Sequence, residues 1–169
     1  MPTLSLAAVS RGEVEVRDEV APDDPLWEGT GLTLREPLRM ELRAQPVGEG
    51  ILVRGRIWTG LELECRRCLA KVPTEVDVQV DMLYEPLEKA EADELGGEVY
   101  PLPPRGSELD LGPALREQLL LQVPDLVVCN ETCRGLCPQC GTNLNDATCS
   151  CVPEERGSPW GALKKLRFD

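Results

Sequence analysis

Eight cysteines and no histidine, in a chain of 169 residues, constrain this sequence more than any other feature. The cysteines fall into four close pairs: Cys65/Cys68, Cys129/Cys133, Cys137/Cys140 and Cys149/Cys151. A tetrahedral zinc ion takes four soft ligands at about 2.3 Å, and a Cys-x-x-Cys turn supplies two of them from one bend. Four pairs therefore complete two all-cysteine sites, and two structural zinc ions are the expected cofactors. A catalytic zinc keeps an open position for water, which two full thiolate shells do not leave.

Two of the pairs look like metal-binding knuckles. In Leu136-Cys137-Pro138-Gln139-Cys140-Gly141, the glycine after the second cysteine permits the positive φ that aims backbone N–H groups at sulfur. In Glu64-Cys65-Arg66-Arg67-Cys68-Leu69, the knuckle itself forms the turn of a hairpin, and Arg66 and Arg67 offset the charge of a tetrathiolate. Only eight residues separate Cys140 from Cys149, so closing Cys137/Cys140 onto Cys149/Cys151 costs little loop entropy. That favours Cys65/Cys68 with Cys129/Cys133 as the second site, although spacing alone leaves the other joinings open. Three other uses of the cysteines compete with zinc. A thioredoxin-like redox pair at Cys65/Cys68 needs a strand-to-helix setting, disulfides need an oxidising compartment, and an iron–sulfur cluster also uses four thiolates.

The absence of histidine removes Ser-His-Asp hydrolysis, Cys-His nucleophiles and histidine proton transfer from this chain. No carboxylate pair stands in a recognisable acid/base spacing, and no phosphate-binding glycine loop follows a strand. The expectation is a protein that is not an enzyme. Residues 1–9 lack a charged n-region with an apolar run, and no stretch reaches the ~20 apolar residues of a membrane span. A soluble, cytoplasmic protein is expected.

The net charge of −12 is localised. Residues 13–28 carry seven acids and one base, and residues 85–110 carry eight acids and two bases, so these two segments hold the whole excess. Such runs read as solvated connection or as a surface for a basic partner.

Period-two alternation marks strands at 37–46, 50–64 and 71–84, with Val47-Gly48-Glu49-Gly50 as a hairpin turn. Residues 85–110 read as an acidic, partly disordered loop. Asp110 is a candidate N-cap for an amphipathic helix that carries Leu115, Leu119 and Leu120 and stops at Pro124. After the cysteine-rich tail, Ser158-Pro159 opens a terminal helix, with Trp160, Leu163 and Leu166 opposite Lys164, Lys165 and Arg167. The expected fold class is α+β: an antiparallel sheet or small barrel, a few helices and a zinc-binding C-terminal tail. The organisation is a mainly β region at 1–84, the acidic loop at 85–110, helix and connection at 111–128, and the tail at 129–169. These form one compact unit.

Several segments together resemble a known family. They are Leu61-Glu62-Leu63-Glu64-Cys65-Arg66-Arg67-Cys68-Leu69, then Tyr100-Pro101-Leu102, Glu108-Leu109-Asp110-Leu111 and Arg116-Glu117-Gln118-Leu119-Leu120-Leu121. The most specific is Gly135-Leu136-Cys137-Pro138-Gln139-Cys140-Gly141-Thr142-Asn143-Leu144-Asn145, followed by Pro159-Trp160-Gly161-Ala162-Leu163-Lys164-Lys165-Leu166. Over roughly residues 35–168 the chain is similar to the YceD family, the large ribosomal RNA subunit accumulation proteins of bacteria and plastids. The resemblance implies a role in 23S rRNA accumulation and large-subunit biogenesis, with no known catalytic activity. The expected partner is 23S rRNA or a pre-ribosomal large subunit, contacted through Arg54, Arg56, Arg66, Arg67, Lys164, Lys165 and Arg167. The acidic segments suit a second role, as adaptor or holdase for a basic ribosomal protein or an RNA-processing enzyme. The third role, from another class, is a Cys-x-x-Cys thiol redox protein. The aromatic platform of an RNA-recognition sheet is not evident, since the chain has one Phe.

Overall fold

A computed structural model describes residues 1–86, 99–103 and 106–152. The terminal helix expected from Ser158, with Trp160, Lys164, Lys165 and Arg167, lies outside the described residues. So does most of the acidic stretch, at 87–98 and 104–105.

The centre is a five-stranded mixed sheet in the order β2-β3-β4-β5-β6. Its antiparallel part is β2 (Val14–Val20), β3 (Leu38–Val47), β4 (Gly50–Glu64) and β5 (Lys71–Pro86). The alternating runs form β3, β4 and β5 because every second residue is apolar and goes to one face. Leu38, Met40, Leu42 and Ala44 on β3 are buried with Val53, Ile57 and Leu61 on β4 and with Val76, Val80, Met82 and Tyr84 on β5. The β3–β4 turn pairs Val47 with Gly50. Its first central residue, Gly48, has φ 61°, the glycine-first pattern of a type II′ hairpin.

Three elements differ from the sequence expectation. Residues 14–20, inside the first acidic run, form edge strand β2. Val14, Val16 and Val20 pack against or within the core, while Glu15, Arg17 and Glu19 stand on the solvent face opposite Arg43, Glu41 and Arg39. The segment read as an acidic loop contributes β6 (Val99–Leu102), parallel to β5, and β7 (Glu108–Asp110). β7 pairs with β1 (Thr3–Ser5), which leads into the single turn α1 (Leu6–Val9). Among the described residues β2 and β6 remain the two edges, so the sheet is open.

The second helix, α2 (Gly112–Gln122), covers the apolar face with Ala114, Leu115, Gln118 and Leu119. Leu111 occupies its N-cap position, and Asp110, the expected cap, accepts the Gly112 N–H at 2.8 Å from one residue earlier. Arg116 donates to the Leu26 carbonyl at 2.8 Å, which ties α2 to the single 3-10 turn Pro25–Trp27. No helix among the described residues is long and apolar enough to cross a membrane.

β4 and β5 run on as an arm beyond β3, whose pairing ends at Arg39–Trp58; residues 33–35 flank β4 as far as Glu62, and β4–β5 pairing continues to Glu64–Lys71. The tip of this arm carries the first metal-binding turn.

Candidate metal centres

The turn at the tip of the arm is Cys65-Arg66-Arg67-Cys68. The Cys65 N–H donates to the Ala70 carbonyl at 2.8 Å, and the Leu69 N–H donates to the Cys65 carbonyl at 2.8 Å. The second turn repeats this wiring. The Cys137 N–H bonds the Thr142 carbonyl at 2.8 Å, and the Gly141 N–H bonds the Cys137 carbonyl at 2.9 Å. The residue after the second cysteine takes a left-handed backbone in both, at φ 72° for Gly141 and φ 59° for Leu69. The first knuckle therefore holds a leucine where the geometry prefers glycine.

The eight thiols assemble as two tetrads, Cys65/Cys68/Cys129/Cys133 and Cys137/Cys140/Cys149/Cys151. Within each, all four sulfurs lie within 4.8 Å of one another. This is the grouping favoured by the short Cys140–Cys149 loop. Cys65 and Cys133 are 3.8 Å apart, and Cys68 and Cys129 are 3.6 Å apart. Four thiolates around one ion at about 2.3 Å are separated by about 3.8 Å, whereas a disulfide needs about 2.05 Å. A multi-iron cluster inserts metal and sulfide between its ligands and spreads them further. The tetrads thus have the size of a mononuclear tetrathiolate site. All eight cysteines are free thiols.

The thiols divide two and two. Cys65 and Cys133 are shifted down and Cys68 and Cys129 up; Cys137 and Cys140 are shifted down and Cys149 and Cys151 up. Burial works against ionisation of Cys65, yet bonds from the backbone of Cys129, Cys68 and Arg67 hold it at about 6. The Thr142 hydroxyl, 3.2 Å from Cys140, and the Thr142 N–H hold Cys140 at about 6. Cys129 is pushed up to about 12, chiefly by its thiol neighbours Cys133 and Cys68. Proximity of four thiols makes the last protons costly to remove, and a divalent cation is the natural counter-charge.

The first tetrad joins the sheet to the tail. Arg66 donates its N–H to the Val127 carbonyl at 2.9 Å, and the Leu136 N–H donates to the Arg67 carbonyl at 2.9 Å. The Arg67 guanidinium donates to the carbonyls of Cys133 at 3.0 Å and Glu131 at 3.3 Å. Arg67, expected as a nucleic-acid contact, is thus used as a staple. Gly135 rests on Arg67 with φ 75°, where a Cβ would lie 2.9 Å from the Arg67 carbonyl oxygen. Cys65, Cys68 and Cys133 are buried; in the second tetrad Cys137 alone is.

Outer partners were not visible as such in the sequence. The Asn145 amide donates to Cys133 at 3.3 Å, and its oxygen accepts the Arg134 N–H at 2.7 Å. Asn143 accepts the Asn145 N–H at 3.1 Å and donates to Asp146 at 2.6 Å. Asn143-Leu144-Asn145 therefore leaves the second tetrad and returns to the first. The signal available was an amide pair directly after a knuckle, since thiolates seek N–H donors.

Arg54 and Arg56 lie on the solvent face of the sheet, away from the tetrads in sequence and register. Arg54 pairs with Asp81 at 3.2 Å, and Arg56 grips Asp77 with two guanidinium bonds. Arg66 is exposed at the knuckle.

Comparison with known proteins agrees with this picture. The family described as "Large ribosomal RNA subunit accumulation protein YceD" matches residues 53–167. An uncharacterized protein of Mycobacterium tuberculosis is 35% identical over 112 residues, covering 63% of this chain and 51% of the relative. The Arabidopsis thaliana "Large ribosomal RNA subunit accumulation protein YCED homolog 1, chloroplastic" is 35% identical over 65 residues, covering 38% of this chain and 20% of the relative. Its Zea mays counterpart of the same name is 25% identical over 153 residues, covering 75% of this chain and 52% of the relative. The chain thus spans about half the length, or less, of these curated relatives. No solved structure matches it. With the matched span running from near the start of β4 through both tetrads, the chain belongs to the YceD family.

Proposed function

We infer that this protein is a non-enzymatic factor for accumulation of 23S rRNA and assembly of the large ribosomal subunit, its tail folded around two structural zinc ions. The observation that carries the metal half is the pair of complete four-thiol shells at mononuclear spacing. Zinc bound there would supply folding free energy and a rigid junction, with no coordination position left for a substrate. A tetrahedral all-sulfur shell suits zinc among the common divalent ions. The ribosomal half rests on membership of the YceD family and on the names of the plant relatives.

A thiol redox role gains no support from the fold. Cys65-x-x-Cys68 caps a strand hairpin rather than opening a helix, so no helix N-terminus activates it. The test is genetic. Deleting the gene should lower mature 23S rRNA relative to 16S rRNA, and the wild-type gene should restore it. Cys133→Ser should fail to restore it, because that change opens the junction. Unchanged 23S rRNA in the deletion strain would refute the ribosomal role.

A further inference from the structure

The sheet register places charge on the solvent face in ordered rows. One row across β2–β5 reads Glu15, Arg43, Arg54, Asp81; the next reads Arg17, Glu41, Arg56, Gln79; the third reads Glu19, Arg39, Trp58, Asp77. The two inner strands thus present four arginines against one glutamate, together with half-buried Trp58. The two outer strands present four acids against one arginine. The result is a basic, aromatic-bearing stripe two strands wide with an acidic kerb on each side.

Two features of the stripe stand out, one unfavourable and one favourable. Arg43 and Arg54 stand directly opposite each other, a like-charge cross-strand pair that costs stability. Their carboxylate partners lie out on the kerbs, Glu15 at 3.8 Å from Arg43 and Asp81 at 3.2 Å from Arg54. Both arginines are more than half exposed, so these ion pairs are weak and exchangeable. The other feature is the stack: the Arg56 guanidinium, fixed by its fork on Asp77, lies 5.0 Å from the centre of the Trp58 ring. Between them the backbone dips at Gly55, where a Cβ would fall 2.1 Å from the Glu41 carbonyl oxygen. A shallow basin of about 610 Å³ opens there, its charged lining being Arg17, Arg43, Arg54 and Arg56 with Glu41 on its floor and Glu15 and Asp81 at its sides.

We propose that this stripe binds single-stranded RNA, with a phosphate between Arg43 and Arg54 and a base stacked on the Arg56–Trp58 pair. The phosphate relieves the like-charge contact, and guanidinium and indole planes are stacking surfaces that accept any unpaired base. The kerbs set the strandedness. A duplex hides its base faces and carries two rows of phosphates, and the second row would meet Glu15 and Glu19 or Asp77 and Asp81. A single strand fits the two-strand width. This inference rests on the ribosomal reading and gives it a contact surface.

The test uses full-length, zinc-loaded protein and a fluorescein-labelled unstructured RNA of about ten nucleotides, followed by anisotropy across a salt series. Arg43→Gln combined with Arg54→Gln should weaken binding at least tenfold and flatten the log–log salt slope by about 0.7, the value for one phosphate contact on a single strand. Trp58→Leu should weaken binding about tenfold with the slope unchanged, and Trp58→Phe should restore it. Zinc content and melting temperature of the variants should match wild type. Equal affinity for a duplex of the same length, or affinity untouched by these changes, overturns the proposal. A strain carrying the double arginine change that keeps full 23S rRNA, where the deletion strain loses it, overturns this surface and leaves the ribosomal role standing. Loss of effect in the deletion strain itself overturns the role.

Discussion

Replacing Asn145 by alanine should loosen the first metal centre and spare the second. Asn145 makes two bonds that hold this junction: its amide N–H to the Cys133 sulfur at 3.3 Å and its oxygen to the Arg134 N–H at 2.7 Å. Burial opposes ionisation of Cys133, and the Asn145 amide is the foremost group that overcomes it, followed by the Gly135 N–H. A hydrogen bond to an ionised group is worth about 1.5–3 kcal/mol. Outer-shell changes at metal sites cost about 10–100-fold in affinity, which is the same range. Competition with a chromogenic chelator should therefore show two metal-release phases, with the phase assigned to the first tetrad by a Cys133→Ser control. Asn145→Ala should shift that phase by about 10–100-fold and leave the other in place. Asn145→Asp should do more damage. It retains the acceptor for Arg134 but turns a negative oxygen toward a thiolate. Two unshifted phases, or two phases shifted equally, would refute the assignment of Asn145 to Cys133.

Three further outcomes follow from the geometry. Leu69→Gly should leave stability unchanged or raise it by up to about 1 kcal/mol, because φ 59° suits glycine; a thermal melt showing a clear loss would contradict the strain argument. Gly55→Ala should destabilise by more than about 3 kcal/mol, lowering the melting temperature by roughly 6–12 °C, and a wild-type melt would show that β4 does not approach Glu41 so closely. In metal-stripped protein at pH 7, Cys140 should alkylate ahead of Cys151. Both are exposed, but the Thr142 hydroxyl and N–H, two residues along the same turn, favour the Cys140 thiolate without help from the metal, whereas no such neighbour lowers Cys151. Equal labelling rates by peptide mapping would overturn that ordering.

The parts of the fold legible in the sequence were those where one physical pattern dominates. Strands β3, β4 and β5 alternate over most of their length, with gaps such as Gly55 and Thr59 on β4, so period two fixes their buried face and their extent to within a residue or two. The tetrads were legible because thiol spacing and loop closure point the same way. Strand β2 was hidden: three acids among its seven residues look like solvated linker until Arg39, Glu41 and Arg43 are seen opposite them. β6 was hidden because Pro101 lies within it and Pro103 directly after it, and both read as loop. β1 and β7 have three residues each, too few to show a period. The placement of Trp58 was also hidden. A count of aromatic residues suggests no stacking platform, whereas register puts this indole beside Arg56 in the last row of the basic stripe.

We propose two mononuclear metal centres that fold the tail and lock it to the sheet. Native mass spectrometry of protein purified without added metal, followed by alkylation under the same conditions, reads metal count and thiol protection together. Two zinc ions per chain and eight protected thiols, all becoming reactive after chelation, are expected. One metal or none, or a tetrad that alkylates while the metal remains, would contradict the proposal.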